Sequence, residues 1–485
     1  MSQERAECGN LPKLLQQLGA DLDQYLRFEH HDAMSNEYSW KAALGGSLPQ
    51  QGIACEQLLE IMGKHLIPNG SQVPKPGCTS FITTGATSIG VLASLSGTVA
   101  APQRVGLTAF NYLEDLSLQW MAEMFELPSA MKGIYSSGGS VANLVALGAA
   151  RQWAFEQLGI NVAEDGIPRA CRVYVSSACH RTIHRAAAVL GMGRSALVTI
   201  ATDKNGRLSP QALRQQLQAD INKGFVSVAV VASAGTTDTG AIDPLCEIGE
   251  IAADYQTWFH IDGAYGLPGI LDPRIRHLYD GLSLADSVIV DPHKWLGAPV
   301  GIGATYVRDR SILYRAFSQG AADYLEGACH DDNIQNSMHS MGVPYHDFGV
   351  ELSAPSRGAV VWALIREIGK VGMQERICRH NDMAQLVADL AHKHPDLEVV
   401  QEPTLSICCF RYISPHMPDL NALNKQIHRQ LVQEGNCIPS TTIINGILVI
   451  RPCFVGARTT EKHARELVDA VVKAGNKLLA NTSSC

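Results

Sequence analysis

Lys294 closes the apolar run Ser287-Val-Ile-Val-Asp-Pro-His-Lys-Trp295. Desolvation in such a setting lowers an amine's pKa and leaves a free base that attacks aldehydes. Lysines at strand ends more often snorkel to the surface, so the reading needs partners. Asp262 is one: it ends the run Trp258-Phe-His-Ile-Asp262, 32 residues before Lys294, and Gly263-Ala264-Tyr265-Gly266 follows. A carboxylate there can keep a pyridine nitrogen protonated, and a small residue such as Ala264 lets the backbone approach a ring. An Asp after a strand can also be a plain helix cap, but that leaves the second strand-end residue, Lys294, unexplained. A third piece is Ser136-Ser-Gly-Gly-Ser-Val-Ala-Asn143, which opens a helical stretch reaching Arg151. Gly138, Gly139 and Ser140 would present free backbone N–H groups to an anion. His180, at the end of Val175-Ser-Ser-Ala-Cys-His180, could stack on a ring and reach a carboxylate. An amine for an aldehyde, a carboxylate for a ring nitrogen and a cradle for a phosphate fit pyridoxal 5'-phosphate (PLP), held as a Schiff base on Lys294.

Such residues need strand ends to position them. From Gly85 to about Arg310, short β-branched runs alternate with amphipathic helical stretches. Arg172–Ser176 precedes helical Thr182–Leu190, and Val226–Ser233 precedes helical Pro244–Tyr255. Trp258–Ile261 and Ser287–Val290 come next. Runs this apolar belong in a mostly parallel sheet covered on both faces, and ligands of such sheets lie beyond the carboxyl ends of the strands. His180, Thr236, Thr237, Asp262 and Lys294 all fall there. Before this region, Leu11, Leu14, Leu15, Leu18, Leu22 and Leu26 recur at helical spacing, and Pro68–Gly77 breaks the pattern. After Trp362, strand-like Leu405–Tyr412 and Gly446–Arg451 alternate with helical Leu420–Glu434 and Thr460–Leu478. The division read from this is a helical N-terminal segment over 1–88, a large α/β domain over 89–373, and a small α+β domain over 374–485.

Composition narrows the classes. The chain has 485 residues, 46% hydrophobic and 18% charged, with a formal net charge of −8. A nucleic-acid binder would carry a basic face, so nucleic acid is excluded as a partner. No run approaches the roughly 20 apolar residues of a membrane helix. Met1–Gly19 is polar, without a signal peptide's basic start and apolar run. The thirteen cysteines are scattered and read as reduced thiols of a cytoplasmic protein with no metal site.

The ordered motifs resemble the group II PLP-dependent amino-acid decarboxylases, among them the aromatic-L-amino-acid, histidine, glutamate and tyrosine decarboxylases. Asp291-Pro-His-Lys-Trp295 resembles that family's cofactor-lysine motif and His260-Ile-Asp-Gly-Ala-Tyr265 its pyridine-nitrogen motif. Ser137-Gly-Gly-Ser-Val-Ala-Asn143 resembles its phosphate loop, and Gly235-Thr-Thr-Asp-Thr-Gly-Ala-Ile-Asp243 another signature. The likeness runs from the N-terminal helices to Ile450–Thr460. It implies the aspartate aminotransferase type of PLP-dependent transferase fold (fold type I), a homodimer, and an L-amino acid losing carbon dioxide to give an amine. It also implies Thr237, Asp291 and His293 in reach of the cofactor. Tyr345, seventeen residues before Trp362, matches the family's loop tyrosine, which enters the partner subunit's site and protonates the α-carbon; Asp331–Met341 would be the loop. Asp291 stands where aromatic decarboxylases tend to have Asn, and Val141 where the family often has Glu. Only Phe81 is aromatic in Thr79–Ser88, which suits a smaller or more polar side chain. Two alternatives keep the cofactor: an aldehyde synthase, which typically has Phe in place of the loop tyrosine, and a non-catalytic PLP-binding scaffold, against which Lys294 and Asp262 stand.

Overall fold

The computed structural model describes residues 11–29, 39–103, 108–318 and 342–482. Its first helices are α1 (Leu11–Tyr25), α2 (Ser39–Leu44) and α3 (Cys55–Ile61). The leucine stripe of α1 forms, yet α1 and α3 contribute no buried residue. A two-residue strand, β1 (Cys78–Thr79), precedes α4 (Ser88–Ala100) and α5 (Ala109–Met124). β1 follows the break at Pro68–Gly77, inside the segment over 1–88 that the sequence marks as helical. It pairs in parallel with Ile438 and Pro439, and a strand so short leaves no periodicity in the sequence.

Seven strands form the large sheet: β2 (Lys132–Ser136), β3 (Cys171–Ser176), β4 (Leu197–Ile200), β5 (Val226–Ser233), β6 (Trp258–Asp262), β7 (Ser287–Val290) and β8 (Gly303–Val307). Their order is β2-β8-β7-β6-β5-β3-β4. The run β7-β6-β5-β3-β4 is parallel, while β8 is antiparallel to both neighbours. The expected mostly parallel sheet is therefore present. Strands β6 and β7 are buried at every position, as runs of apolar residues without alternation require. Helices α6 (Gly139–Glu156), α7 (Val162–Asp165), α8 (Arg181–Val189), α9 (Pro210–Asn222), α10 (Leu245–Asp254) and α11 (Ser311–Phe317) connect and flank these strands.

A long helix, α12 (Gly358–Lys393), links this body to the C-terminal part and breaks at Gly369, where φ is +67°. Val360, Val361, Leu364, Met373 and Ile377 pack into the large core, while Met383, Ala384, Val387 and Ala388 pack into a second one. The expected boundary at 373/374 thus falls within a helix that both cores share. Strands β9 (Leu397–Gln401) and β10 (Cys409–Tyr412), helix α13 (Leu420–Glu434), strands β11 (Ile438–Ile444) and β12 (Ile447–Arg451) and helix α14 (Glu461–Thr482) complete the chain. The small sheet runs β1-β11-β12-β10-β9.

Candidate active site

Parallel strands put their carboxyl ends together, and the expected residues lie just beyond them. After β7, Pro292–Leu296 forms a π turn closed by Gly297 at φ +91°. Such turns recur at functional sites. Here the turn brings Lys294 Nζ to 3.2 Å from Asp291 Oδ2. Several groups hold the turn in place. The Thr84 hydroxyl donates to the Lys294 carbonyl, and Arg376 donates to the Leu296 carbonyl at 3.0 Å. The Trp295 indole N–H donates to His380 Nδ1 at 2.8 Å, and its ring stacks on Tyr265 with centroids 5.2 Å apart. His293 donates from Nδ1 to the Ile302 carbonyl at 2.6 Å.

After β6, Asp262 Oδ1 accepts the Ala264 N–H at 3.2 Å and Oδ2 accepts Asn143 Nδ2 at 3.0 Å. Asn143 projects from α6, whose start is the glycine turn after β2. Gly138 caps that helix at φ +117°, a conformation that side chains other than glycine's rarely allow. A Cβ on Gly139 would come within 2.5 Å of Asp291 Oδ2, so the glycine turn and the lysine turn pack directly on each other. His180 caps α8. It faces the open cavity, yet desolvation by the surrounding protein holds its imidazole below the usual pKa, with Asp262 pulling the other way. After β5, the Thr237 carbonyl accepts from Arg451, which also donates to the carbonyls of Asp238 at 3.2 Å and Ser80 at 3.3 Å. Arg451 thereby braces the small sheet against the site.

One cavity of about 810 Å³ takes in every expected cofactor residue: Gly138, Gly139, Ser140, His180, Thr237, Asp262, Ala264, Asp291, His293 and Lys294. Its outer wall comes from the N-terminal segment: Tyr25, Ser71, Val73, Pro74 and Phe81–Thr83. Phe81–Thr83 fall in the segment Thr79–Ser88 that the sequence set against the substrate side chain, whereas sequence reasoning missed Tyr25, Ser71, Val73 and Pro74, because nothing local marks a residue that reaches the site from a distant segment. It also missed Asn143 as a site residue. There a signal existed: a lone amide within the apolar run Val141–Ala150.

Tyr345 is not brought to Lys294 within the chain. It lies in a short 3₁₀ turn, Tyr345–Phe348, fully buried. Its hydroxyl donates to Asp115 Oδ1 at 2.9 Å, and the Arg310 guanidinium lies 5.6 Å from its ring centroid. Burial, then the Asp115 charge, holds the phenol well above its usual pKa. The loop expected over Asp331–Met341 lies outside the described residues.

The donor set fits PLP. Side-chain-free N–H groups at the start of α6 suit a phosphate, Asp262 suits a ring nitrogen, and Lys294 suits an aldehyde. Asp291 Oδ1, buried and without a hydrogen-bond partner among the described residues, is a polar atom that a polar ligand would satisfy. Among those residues no group of three His, Cys, Asp or Glu could hold a metal ion, and no helix is long and apolar enough to cross a membrane. Sheet order, lysine turn and glycine turn together define a PLP enzyme of the aspartate aminotransferase fold type. The profile of the pyridoxal-dependent decarboxylase conserved domain matches residues 39–413, and the chain belongs to that family. It is 30% identical over 428 residues to an aromatic-L-amino-acid decarboxylase of Bacillus atrophaeus, covering 87% of this chain and 86% of that one. An L-2,4-diaminobutyrate decarboxylase of Rhizobium meliloti is 28% identical over 435 residues, covering 89% and 84%. The crystal structure of Oryza sativa TDC with PLP and tryptamine superposes with a TM-score of 0.89 at 24% identity, over 98% of this chain and all of that one. The protein is thus a PLP-dependent carboxy-lyase of amino-acid metabolism.

Proposed function

We propose that this enzyme removes the α-carboxylate of an L-amino acid with a small or polar side chain, releasing the amine, and that it works as a cytoplasmic homodimer. One observation carries the reading: Lys294, Asp262 and the Gly138–Gly139–Ser140 turn line a single cavity. PLP, when bound, supplies an electron-accepting ring for the electron pair of the broken Cα–carboxylate bond. The chain supplies the rest. Lys294 would hold the cofactor and yield it to the incoming amine, and the first turn of α6 would anchor the phosphate. Asp262 would face the ring nitrogen and His180 would cover the ring. The walls would orient the scissile bond perpendicular to that ring and keep water out. The side chain of the substrate would meet Tyr25, Ser71, Val73, Phe81, Ile82 and Thr83, a wall with two aromatic rings, one of them carrying a hydroxyl.

Tyr345 remains the candidate α-carbon proton donor. Since its hydroxyl rests on Asp115 in its own chain, that role would be exercised in the cavity of the second copy. Support for a dimer comes from the uncovered apolar side chains of the N-terminal helices, Leu58 at 48% exposure and Leu92 at 58% among them. Free buried thiols at Cys171, Cys408 and Cys437 suit a reducing compartment, although Cys55 departs from the expected set of reduced thiols and is disulfide-bonded. The test is a screen of amino acids for carbon dioxide release by the purified protein with PLP. Release from large aromatic substrates alone would overturn the side-chain reading. Release from none, with visible cofactor absorbance intact, would favour a scaffold.

A further inference from the structure

Asp262 and His180 are joined beneath the cavity by a hydrogen-bond path whose direction is fixed. Its fixed points are groups with one role each: a carboxylate only accepts, and backbone and indole N–H groups only donate. Asn143 Nδ2 lies 3.0 Å from Asp262 Oδ2 and 3.1 Å from Thr182 Oγ1. Both amide hydrogens are therefore committed, and Asn143 Oδ1 turns the other way. Flipping the amide would set its oxygen against the carboxylate. Oδ1 meets His260 Nε2 at 2.9 Å; a carbonyl oxygen only accepts, so that nitrogen carries the hydrogen. His260 is fully buried, and desolvation holds it below its usual pKa against the pull of Asp262. The ring is therefore neutral, and its bare Nδ1 accepts from Ser287 Oγ at 2.9 Å. Ser287 in turn takes the Trp258 indole N–H at 2.8 Å.

The other end is equally constrained. His180 Nδ1 receives the Thr182 backbone N–H at 3.4 Å and faces the Thr182 hydroxyl at 2.8 Å. A ring nitrogen that accepts an N–H has no hydrogen of its own. The neutral imidazole of His180 then carries its hydrogen on Nε2. Asp262, Lys294, Asp291 and Asp238 are the charged groups acting on this ring, and protonation at Nδ1 would break the cap of α8.

We propose that His260 and Asn143 are positioning residues that orient the Asp262 carboxylate and, through Thr182, hold His180 as the Nε2–H tautomer. Only the catalytic consequence rests on the decarboxylase reading; the path itself belongs to the chain. Asn143, His260, Ser287 and Trp258 each show at most 4% exposure. In so dry a setting a reversed or missing link costs more than it would in water.

The test uses the holoenzyme with isotope-labelled histidine ring nitrogens and a His180→Gln variant to assign the His180 signals. The expected result is the Nε2–H tautomer of His180 at neutral pH. Thr182→Val removes the hydroxyl donor to Nδ1. It should populate the other tautomer and raise the pH at which His180 protonates, and Thr182→Ser should restore both. His260→Leu should lower kcat at least ~tenfold with little change in KM. His260→Gln, which can donate from the same place, should recover most of that. A charged or Nδ1–H His180 in the unaltered enzyme overturns the proposal. So does a folded, PLP-loaded His260→Leu whose kcat and His180 signals are those of the parent. If His260→Leu does not load cofactor, the Thr182 pair decides: unchanged His180 signals in Thr182→Val overturn the path. Failure to release carbon dioxide from any amino acid would remove the decarboxylase reading and leave the tautomer result standing.

Discussion

Lys294 Nζ stands 3.2 Å from Oδ2 of Asp291, the residue that caps the π turn carrying the lysine, three residues earlier in sequence. Asp291 is 2% exposed, and a Cβ on Gly139 or Gly303 would come within 2.7 Å of its carboxylate oxygens. The carboxylate thus fills the space between the lysine turn and the glycine turn and keeps the amine beside both. Lys294→Ala should abolish the visible absorbance of the bound cofactor and all carbon dioxide release. Borohydride reduction of the unaltered enzyme and then peptide mapping should mark Lys294; a different marked lysine would refute the assignment.

Asp262 gives a charge test with little change of shape. In Asp262→Asn the side-chain oxygen can still accept from Asn143, so the buried path around it should survive. What is lost is the negative charge proposed to face the ring nitrogen, together with the bond that Oδ1 accepts from the Ala264 N–H. Turnover should fall roughly a hundredfold or more, with weaker PLP retention. Near-normal turnover would mean that the charge is not required.

Acid should destabilise the fold through its buried neutral histidines. Desolvation, with Arg379 and Arg376 adding to it, lowers His380 from 6.5 to about 3, while an unfolded chain restores the ordinary value. Between those values the unfolded state binds the extra proton, so stability is present in full above the unfolded pKa and falls as pH drops toward the folded one. His260 acts in the same direction. Asp243, raised to about 6 by burial, acts in the opposite one, so the measurement must be a difference. Denaturant melts across pH should show His380→Gln losing about 1.4 kcal/mol less per pH unit than the parent in this window. Parallel curves would show that His380 does not titrate on unfolding.

The candidate site was legible in the sequence because its residues sit at strand ends, where a polar residue closing an apolar run stands out. Lys294, Asp262 and His180 are of that kind, and so is the glycine turn before α6. The parallel core was legible for the same reason: β5 and β7 are short, mostly apolar runs rich in valine. Partners that reach the site through space left no such mark. Ser71 and Val73 line the cavity only because the N-terminal segment folds over it. Arg451 ends a small-sheet strand yet bonds the Thr237 carbonyl, 214 residues away. Tyr345 was legible as a spacing to Trp362, but spacing carries no information about which cavity its hydroxyl faces.

The exposed apolar residues of α1, α3 and α4 call for a covering surface. Leu11, Leu58, Val91, Leu92 and Val99 are each at least 42% exposed. Light scattering should give a mass twice that of the 52.3 kDa chain. Replacing Leu92 and Val99 by Lys should shift the enzyme toward monomer and lower activity with it. A fully active monomer would refute the shared-site reading.

Tyr345, in the proposed role, sets the fate of the substrate once carbon dioxide has left. The α-carbon then needs a proton, and a phenol held well above its usual pKa by burial and by Asp115 keeps its proton until a stronger base is presented. In the resting chain that proton is engaged with Asp115 Oδ1 at 2.9 Å, so delivery requires the contact to open. Tyr345→Phe keeps the bulk and removes the proton. Because Asp115 is itself half exposed, losing the hydrogen bond should cost stability only about 1 kcal/mol. The variant should still bind PLP and substrate and release carbon dioxide. Amine should fall at least ~tenfold, with aldehyde and ammonia appearing under air and not under nitrogen. Asp115→Ala should leave the product spectrum unchanged, since it frees the phenol without removing it. Amine at the parental rate and no aldehyde from Tyr345→Phe would make Tyr345 a bystander and move the search for the donor to His180.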